Sequence, residues 1–373
     1  MKKFLTYIKQ ETVLTVSFIL AIAACIITKP SFNQMAGYVN FRVLGILLAL
    51  MLVVCGLQEI GLFHYIGNRL LRKAGNTRRL ISVLVFLCFF LSMAFTNDVA
   101  LITFVPFAIF VLEKAGHPEL LIFTVVLQTI AANLGSMLTP VGNPQNLYIY
   151  QYYGFTTGEF VLNMLPYAVT AFLLLILLVF FKKNETVKLE DSDFEAVSPD
   201  WHKACLYILL FSVCLFGVTG VFYWLPVLLF VCLGIVLIDR KIFLKADYGL
   251  LLTFMFFFLF IGCVGSVPSV RETLSQIITG HEVLVGVMTS QIVSNVPAAL
   301  LLSEFTENGK DLLIGINLGG LGTLIASMAS LISYKCYTRV YKKNKGKYLL
   351  WFTLASIIFL AVLLVIYYIL QFL

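Results

Sequence analysis

The sequence predicts an all-α polytopic membrane protein built from two inverted repeats, each with a re-entrant hairpin and a discontinuous helix. Three features support this. Of the 373 residues, 60% are apolar and 12% charged, whereas soluble proteins are about half apolar and about a quarter charged. About nine segments are apolar and long enough to cross a bilayer. Basic residues concentrate on one predicted side of these segments, and polar interruptions recur in the same order in both halves.

Nine segments contain about 20 mostly apolar residues, the length that a spanning helix needs. They are 12–28, 40–58, 119–150, 160–181, 204–219, 221–238, 248–267, 311–334 and 349–372. Two further apolar stretches, 80–112 and 282–303, are interrupted at their centres, by Thr-Asn-Asp at 96–98 and by Ser-Asn-Val-Pro at 294–297. Each is predicted to be a hairpin that enters and leaves the membrane on one side.

Charge placement favours these hairpins over simple crossings. With both hairpins in place, 22 of the 26 Lys and Arg residues lie in segments facing the cytoplasm, in agreement with the positive-inside rule. Those segments are 1–11, 68–79, 113–118, 182–203, 239–247 and 335–348. We therefore expect a multi-pass protein of the cell membrane, with the amino terminus in the cytoplasm and the carboxyl terminus outside. The first apolar run is not followed by a small-residue cleavage site, so no signal peptide is expected.

This topology divides the chain into two copies of one element order: helix, helix, hairpin, interrupted helix, helix. One extra crossing between the copies inverts the second. The predicted units are repeat 1 (1–181, with hairpin 80–112 and broken helix 119–150), a cytoplasmic linker (182–203), a connecting helix (204–220) and inverted repeat 2 (221–373, with hairpin 282–303 and broken helix 311–334). Inverted repeats with broken helices are typical of secondary transporters.

The interrupted helices indicate where a site lies, because backbone in hydrocarbon is left non-helical only where protein or a cavity satisfies it. Residues 139–146 read Thr-Pro-Val-Gly-Asn-Pro-Gln-Asn, with two prolines and a glycine. The counterpart at 317–323 reads Asn-Leu-Gly-Gly-Leu-Gly-Thr; close helix packing is a second explanation for its glycines, since Gly315 and Gly319 form a GxxxG motif. The candidate binding residues of the two breaks are Asn133, Thr139, Gly142, Asn143, Pro144, Asn146, Asn317, Gly320 and Thr323.

Asp98 is the only acidic residue deep inside an apolar run, and a charge there is costly unless it faces a cavity. We expect it to bind a proton or Na⁺; the alternative is a carboxylate that only caps the second arm of its hairpin. Thr96, Asn97, Ser294 and Asn295 supply the oxygen ligands that hard cations prefer. A Na⁺ site is therefore expected near Asn97, Asp98, Ser294 and Asn295, with no other metal and no cofactor besides the coupling ion.

The motifs at 96–101, 133–147 and 294–297 resemble those of the ion transporter superfamily, close to its arsenical-pump and citrate-transporter (CitMHS-like) members. The resemblance covers nearly the whole chain in the expected order. In the related divalent anion/sodium symporters, Ser-Asn-Thr triplets at both hairpin tips help to form Na⁺ sites and touch the substrate carboxylate. Asp98 and Val296 stand where those triplets have threonine, which favours proton coupling or one cation site. The resemblance also implies a homodimer and an elevator-like motion.

The sequence thus predicts a secondary active transporter, not an enzyme, that moves a small anion (a carboxylate or similar) coupled to H⁺ or Na⁺. Its expected surroundings are the lipid bilayer, and no nucleic acid partner is indicated. Within the same fold, an arsenite or metalloid efflux permease and a Na⁺/H⁺ antiporter are alternatives, and a channel is the alternative outside it. None of the eight cysteines lies in the candidate motifs, so a thiolate site for arsenite is unsupported.

Overall fold

The computed structural model describes residues 12–72, 74–187 and 198–372. These ranges are nearly all helical and contain no β-strand, which confirms the all-α membrane fold. The predicted cytoplasmic segment 1–11 and residues 188–197 of the predicted linker lie outside the described residues. The helices are α1 (Thr12–Thr28), α2 (Phe32–Tyr38), α3 (Phe41–Glu59), α4 (Leu62–Leu71), α5 (Thr77–Phe95), α6 (Asn97–Lys114), α7 (Leu121–Ser136), α8 (Pro144–Tyr153), α9 (Thr157–Phe180), α10 (Trp201–Val218), α11 (Trp224–Asp239), α12 (Tyr248–Gly265), α13 (Pro268–Ile278), α14 (Glu282–Val293), α15 (Asn295–Ser303), α16 (Gly309–Gly319), α17 (Met328–Val340) and α18 (Lys345–Gln371).

Seven helical segments of the described chain are apolar and at least 18 residues long, and so are candidates to cross a membrane. They contain α3, α5, α7, α9, α10, α12 and α18. The sequence predicts about nine spans, and the difference has two causes. α1 and α11 match predicted spans but have only 17 and 16 residues, and the predicted span 311–334 is divided into α16 and α17. Conversely, α5 adds a candidate span that the sequence does not predict, because it is 19 residues long although it is predicted as one arm of a hairpin.

Three helices are absent from the sequence-based prediction: α2, α4 and α13, of 7, 10 and 11 residues. They connect longer helices. In α4, Leu62, Phe63 and Leu71 are buried while Arg69 and Leu70 are exposed, so one face of this helix packs on the protein. A short amphipathic helix of this kind has no continuous apolar run, and a search for spans does not find it.

The helices pack in two groups. α1, α3, α10, α11 and α12 contact one another, and the hairpins pack with the broken helices, α9 and α18. The groups meet where α3 packs on α8 and α12 packs on α15. The first hairpin is held at its base by residues after α9: the Arg78 side chain donates to the Lys182 carbonyl at 2.6 Å, and the Thr77 N–H donates to the Glu185 carbonyl at 2.9 Å.

Candidate functional site

Two helical hairpins carry the tips that the sequence singles out. The arms α5 and α6 pack on each other and are separated only by Thr96; α14 and α15 are separated in the same way by Ser294. Thr96 has φ 73° and ψ 147°, and Ser294 has φ 76° and ψ 154°. Residues with a side chain rarely adopt this conformation, which costs about 1–3 kcal/mol. The two tips therefore share one strained backbone geometry that the surrounding packing must maintain.

The first break lies between α7 and α8. Asn143 caps α8 by accepting the N–H of Asn146 at 2.8 Å, and Pro144 occupies the first helical position. The Asn146 amide donates in turn to the carbonyls of Ser136 and Thr139, at 3.2 and 3.1 Å. Carbonyls at the end of a helix have no intrahelical partner. The side chains of the break thus supply hydrogen bonds that the interrupted helix has lost.

The second break lies between α16 and α17 and is satisfied from the hairpin. The Gln291 amide of α14 donates to the carbonyls of Gly319 and Leu321, both at 2.9 Å, and its oxygen accepts the N–H of Thr323 at 2.9 Å. Gly322 has φ 106°, a value that requires glycine. The second hairpin and the second break therefore form one hydrogen-bonded unit.

Asn133 joins the first tip to the second break. Its oxygen accepts the Asn97 amide at 3.1 Å and the Ser327 hydroxyl at 3.0 Å, and its own amide donates to Ser330 at 3.1 Å. The Asn97 backbone N–H donates to the Gly142 carbonyl at 3.1 Å. The tip of the first hairpin is therefore bound to the first break and, through Asn133, to the start of α17.

Asn317 makes the corresponding connection from the second half. Its amide donates to Asn146 at 2.7 Å, and its oxygen accepts the Asn143 amide at 3.4 Å. Gly320, three residues further on, lies against the second tip, because a Cβ added to it would stand 2.9 Å from the Asn295 amide nitrogen. The second tip thus adjoins the same set of asparagines.

This cross-bonding is reciprocal, since each asparagine of a first half-helix bonds to the break of the other half. The corresponding pairs, each 184 positions apart, are Asn133 and Asn317, Asn143 and Ser327, and Asn146 and Ser330. Burying a polar side chain without a partner costs about 1–3 kcal/mol. The buried asparagine side chains of each half therefore depend on the other half of the chain for part of their hydrogen bonding.

A cavity of about 220 Å³ lies beside the first tip and the first break. Thr96, Asp98, Asn143 and Pro144 line it, and its other walls are mostly apolar side chains of α3, α6, α12 and α17. Among the described residues the Asp98 carboxylate has no hydrogen-bond or ion-pair partner, although the Asp98 N–H donates to the Asn97 side chain at 3.0 Å. The carboxylate is thus available to a cation or proton in the cavity.

The second tip does not reach this cavity. Ser294 and Asn295 are buried, at 3% and 4% exposure, outside the lining. Thr323 is exposed at the surface of the described chain. The cavity accordingly brings together the sequence-predicted residues of the first tip and the first break, and the two tips face different surroundings.

Three polar residues of the cavity wall escape the sequence-based prediction. Gln58 comes from the end of α3, and Lys245 and Asp247 come from the loop before α12. Lys245 forms an ion pair with Glu59, and Asp247 caps α12 by accepting the N–H of Leu250 at 3.0 Å. In the sequence, Lys245 is one of several basic residues in a predicted cytoplasmic loop. Such a pattern indicates membrane topology and does not single out a binding residue.

Glu282 is a second buried acidic residue, at the end of a hairpin arm rather than inside an apolar run. It begins α14, is 3% exposed and accepts the Thr306 hydroxyl at 2.8 Å. The sequence places it at the end of the predicted hairpin, where exposure is expected. It lines a larger cavity of about 790 Å³ together with Arg271 and Glu304, and that cavity contains none of the predicted site residues.

Apolar helices of membrane-spanning length, two hairpins, two broken helices and an acid-bearing cavity beside the first tip and the first break are the architecture of a membrane transporter. The model of the citrate transporter family matches residues 9–308. The chain therefore belongs to this family, and the resemblance read from its motifs is confirmed.

Relatives agree with this class. An uncharacterized transporter of Methanocaldococcus jannaschii is 33% identical over 304 residues, which are 80% of this chain and 81% of that protein. The inner membrane protein YbiR of Escherichia coli is 31% identical over 292 residues, 77% of each chain. A silicon efflux transporter of Oryza sativa subsp. japonica is 34% identical over 130 residues, 34% of this chain and 26% of that protein.

Proposed function

We propose that this membrane transporter is a secondary active one, which moves a small anion (a carboxylate or similar) across the cell membrane coupled to H⁺ or Na⁺. The observation that carries the proposal is Asp98, whose carboxylate faces the cavity without a partner among the described residues. An unpaired charge within a membrane protein is costly, so a proton or cation is expected to join it during each cycle.

The charges of the cavity wall supply a physical basis for coupling. Asp98 and Asp247 are acidic, and the basic Lys245 is already paired with Glu59, so negative charge is in excess at the cavity when Asp98 is ionised. An anion is then repelled. A proton or Na⁺ on Asp98 removes one of these negative charges and so lowers the repulsion of the anion. Cation and anion therefore favour each other's binding.

The tips add groups that attract an anion. α6 and α15 begin directly after Thr96 and Ser294, and neither of these two residues caps its helix with a side-chain hydrogen bond. The amino terminus of a helix carries partial positive charge and free N–H groups. The partial positive charge at the start of α6, which lines the cavity, would orient an anion beside Asp98.

One end of the cavity is formed by the 239–247 loop, which charge counting assigns to the cytoplasm. We therefore propose that this structure is a cytoplasm-facing state. Transport would then move the hairpin-bearing helices relative to α1, α3, α10, α11 and α12, in a homodimer with a cytoplasmic amino terminus and an external carboxyl terminus. Such a motion would change the interfaces of α3 with α8 and of α12 with α15, where the two groups of described helices meet.

A second candidate is efflux of an uncharged metalloid acid. The silicon efflux transporter of rice is 34% identical over 130 residues, and a neutral hydroxyl-rich solute would not be repelled by Asp98 and Asp247. Cys55 also lines the cavity, but one thiol does not make an arsenite site.

Uptake into proteoliposomes tests the proposal. Labelled benzoate, succinate and citrate, silicic acid and arsenite should be supplied under an imposed H⁺ or Na⁺ gradient of either direction. We expect saturable, gradient-driven accumulation of at least one carboxylate. Movement of silicic acid or arsenite alone would favour the second candidate. Non-saturable flux that no ion gradient can drive uphill would indicate a channel and overturn the proposal.

A further inference from the structure

One residue of the cavity wall, Lys245, belongs to an ion pair whose partner lies outside the lining. Lys245 lines the cavity, and its ammonium group pairs with the Glu59 carboxylate, both side chains being 48% exposed. The loop that carries Lys245 is held against α3, since the Cys55 thiol lies 3.8 Å from the Lys245 carbonyl. A positive charge is thus positioned where solvent meets the cavity.

Lys245 is the one basic residue among the described residues that line this cavity. An anion inside it therefore has a single full positive charge to pair with. Glu59 already presents a carboxylate to that ammonium group. A substrate carboxylate would take the place of Glu59, which makes Glu59 an internal competitor.

The remaining cavity walls limit which chemical groups the anion can have besides the carboxylate that pairs with Lys245. Leu47, Leu50, Val99, Leu250 and Ile332 face the cavity, and a second carboxylate among them would lose its hydration without gaining a partner. The two other charged residues of the wall are acidic and would repel it. The volume of about 220 Å³ is below the range of about 300–1,000 Å³ that is usual for drug-sized ligands, so the solute is small.

We infer that the substrate is a small monocarboxylate with an apolar body, recognised by Lys245 in exchange for Glu59. The inference rests on the proposed function and names the substrate class of the same cavity. A dicarboxylate or tricarboxylate fits neither the single ammonium group nor the apolar walls.

Variants of the ion pair test the exchange, because a recognition pair and a structural pair respond differently. Lys245→Gln should raise the KM for benzoate uptake about tenfold or more, as expected for a lost charge-assisted hydrogen bond. Lys245→Arg keeps the positive charge, so its KM should stay close to the wild-type value. Glu59→Gln should lower KM several-fold, because the competitor is gone. A purely structural pair would be damaged alike by Lys245→Gln and Glu59→Gln, and a rise of KM in both would overturn the inference.

Substrate selectivity tests the class, with wild-type proteoliposomes and labelled benzoate, butyrate, succinate and citrate. Gradient-driven uptake of benzoate or butyrate, at least tenfold more efficient than that of succinate or citrate, is the expected result. Uptake of succinate or citrate without the monocarboxylates would overturn the inference and leave the proposed function intact. Gradient-driven uptake of none of the four would overturn both. Glu59→Gln keeps the test decisive if Lys245→Gln does not assemble, because a recognition pair predicts a lower KM for this variant and a structural pair a higher one.

Discussion

Replacing Asp98 with Asn should disconnect anion binding from cation binding. A cavity of about 220 Å³ has the volume of a sphere about 4 Å in radius, so a bound anion lies about 5 Å from the carboxylate. Two like charges at about 5 Å repel by about 3 kcal/mol at an effective dielectric constant near 20, which is about a hundredfold in affinity. The wild type should therefore bind a carboxylate about a hundredfold more tightly at saturating Na⁺ or low pH than without either cation.

Asp98→Asn should bind with the higher affinity under all conditions, because the amide keeps the size of the side chain and removes its charge. Equilibrium binding of labelled benzoate to purified protein, across a range of pH and Na⁺ concentration, measures this dependence. Glu113→Gln is a matched control, since Glu113 lies on the same arm but bonds to Tyr341 at the base of the hairpin, and it should keep the wild-type response. A cation dependence of wild-type size in Asp98→Asn would refute the electrostatic reasoning.

Three further substitutions test the fold around the site. Gly142→Ala would place a Cβ 2.1 Å from the Ser136 carbonyl oxygen. Thermal unfolding should therefore show about 1–3 kcal/mol of destabilisation, and uptake should fall. Gly158→Ala, the control, adds a Cβ in open space and should change neither stability nor uptake. Asn317→Ala should lower the unfolding temperature, because its partners in the first break lose their hydrogen bonds; a wild-type temperature would contradict the reciprocal network. Lys114→Cys on a cysteine-free background should be labelled only from the cytoplasm, and labelling from outside would exclude the hairpin.

Local sequence is sufficient to predict a break in a helix where a polar or proline-containing motif interrupts an apolar run. The helical arms α14 and α15 together cover 282–303, the range proposed from sequence, because Ser294 and Asn295 stand alone in apolar surroundings. Asn143 and Pro144 likewise indicate the first break, since a capping side chain followed by proline is typical of the start of a helix. In such positions the chemistry that breaks a helix is visible within a few residues.

Long-range pairings have no such signal. Lys245 is one of several basic residues in a loop, and only the fold brings it to the cavity wall. Gln291 lies within a hairpin arm, and its role is defined by carbonyls about 30 positions away. Ser330 accepts the Asn133 amide across 197 positions. These residues became recognisable only when the two halves of the chain were placed together.

The accumulation ratio in proteoliposomes tests coupling through Asp98 most directly. Wild type, Asp98→Asn and the Glu113→Gln control should be compared under the same imposed H⁺ or Na⁺ gradient, with whichever of labelled benzoate, succinate or citrate the wild type takes up. The wild type and Glu113→Gln should concentrate the anion above its external level. Asp98→Asn should only equilibrate it. Accumulation by Asp98→Asn to the wild-type ratio would contradict the account and leave Asp98 a structural residue.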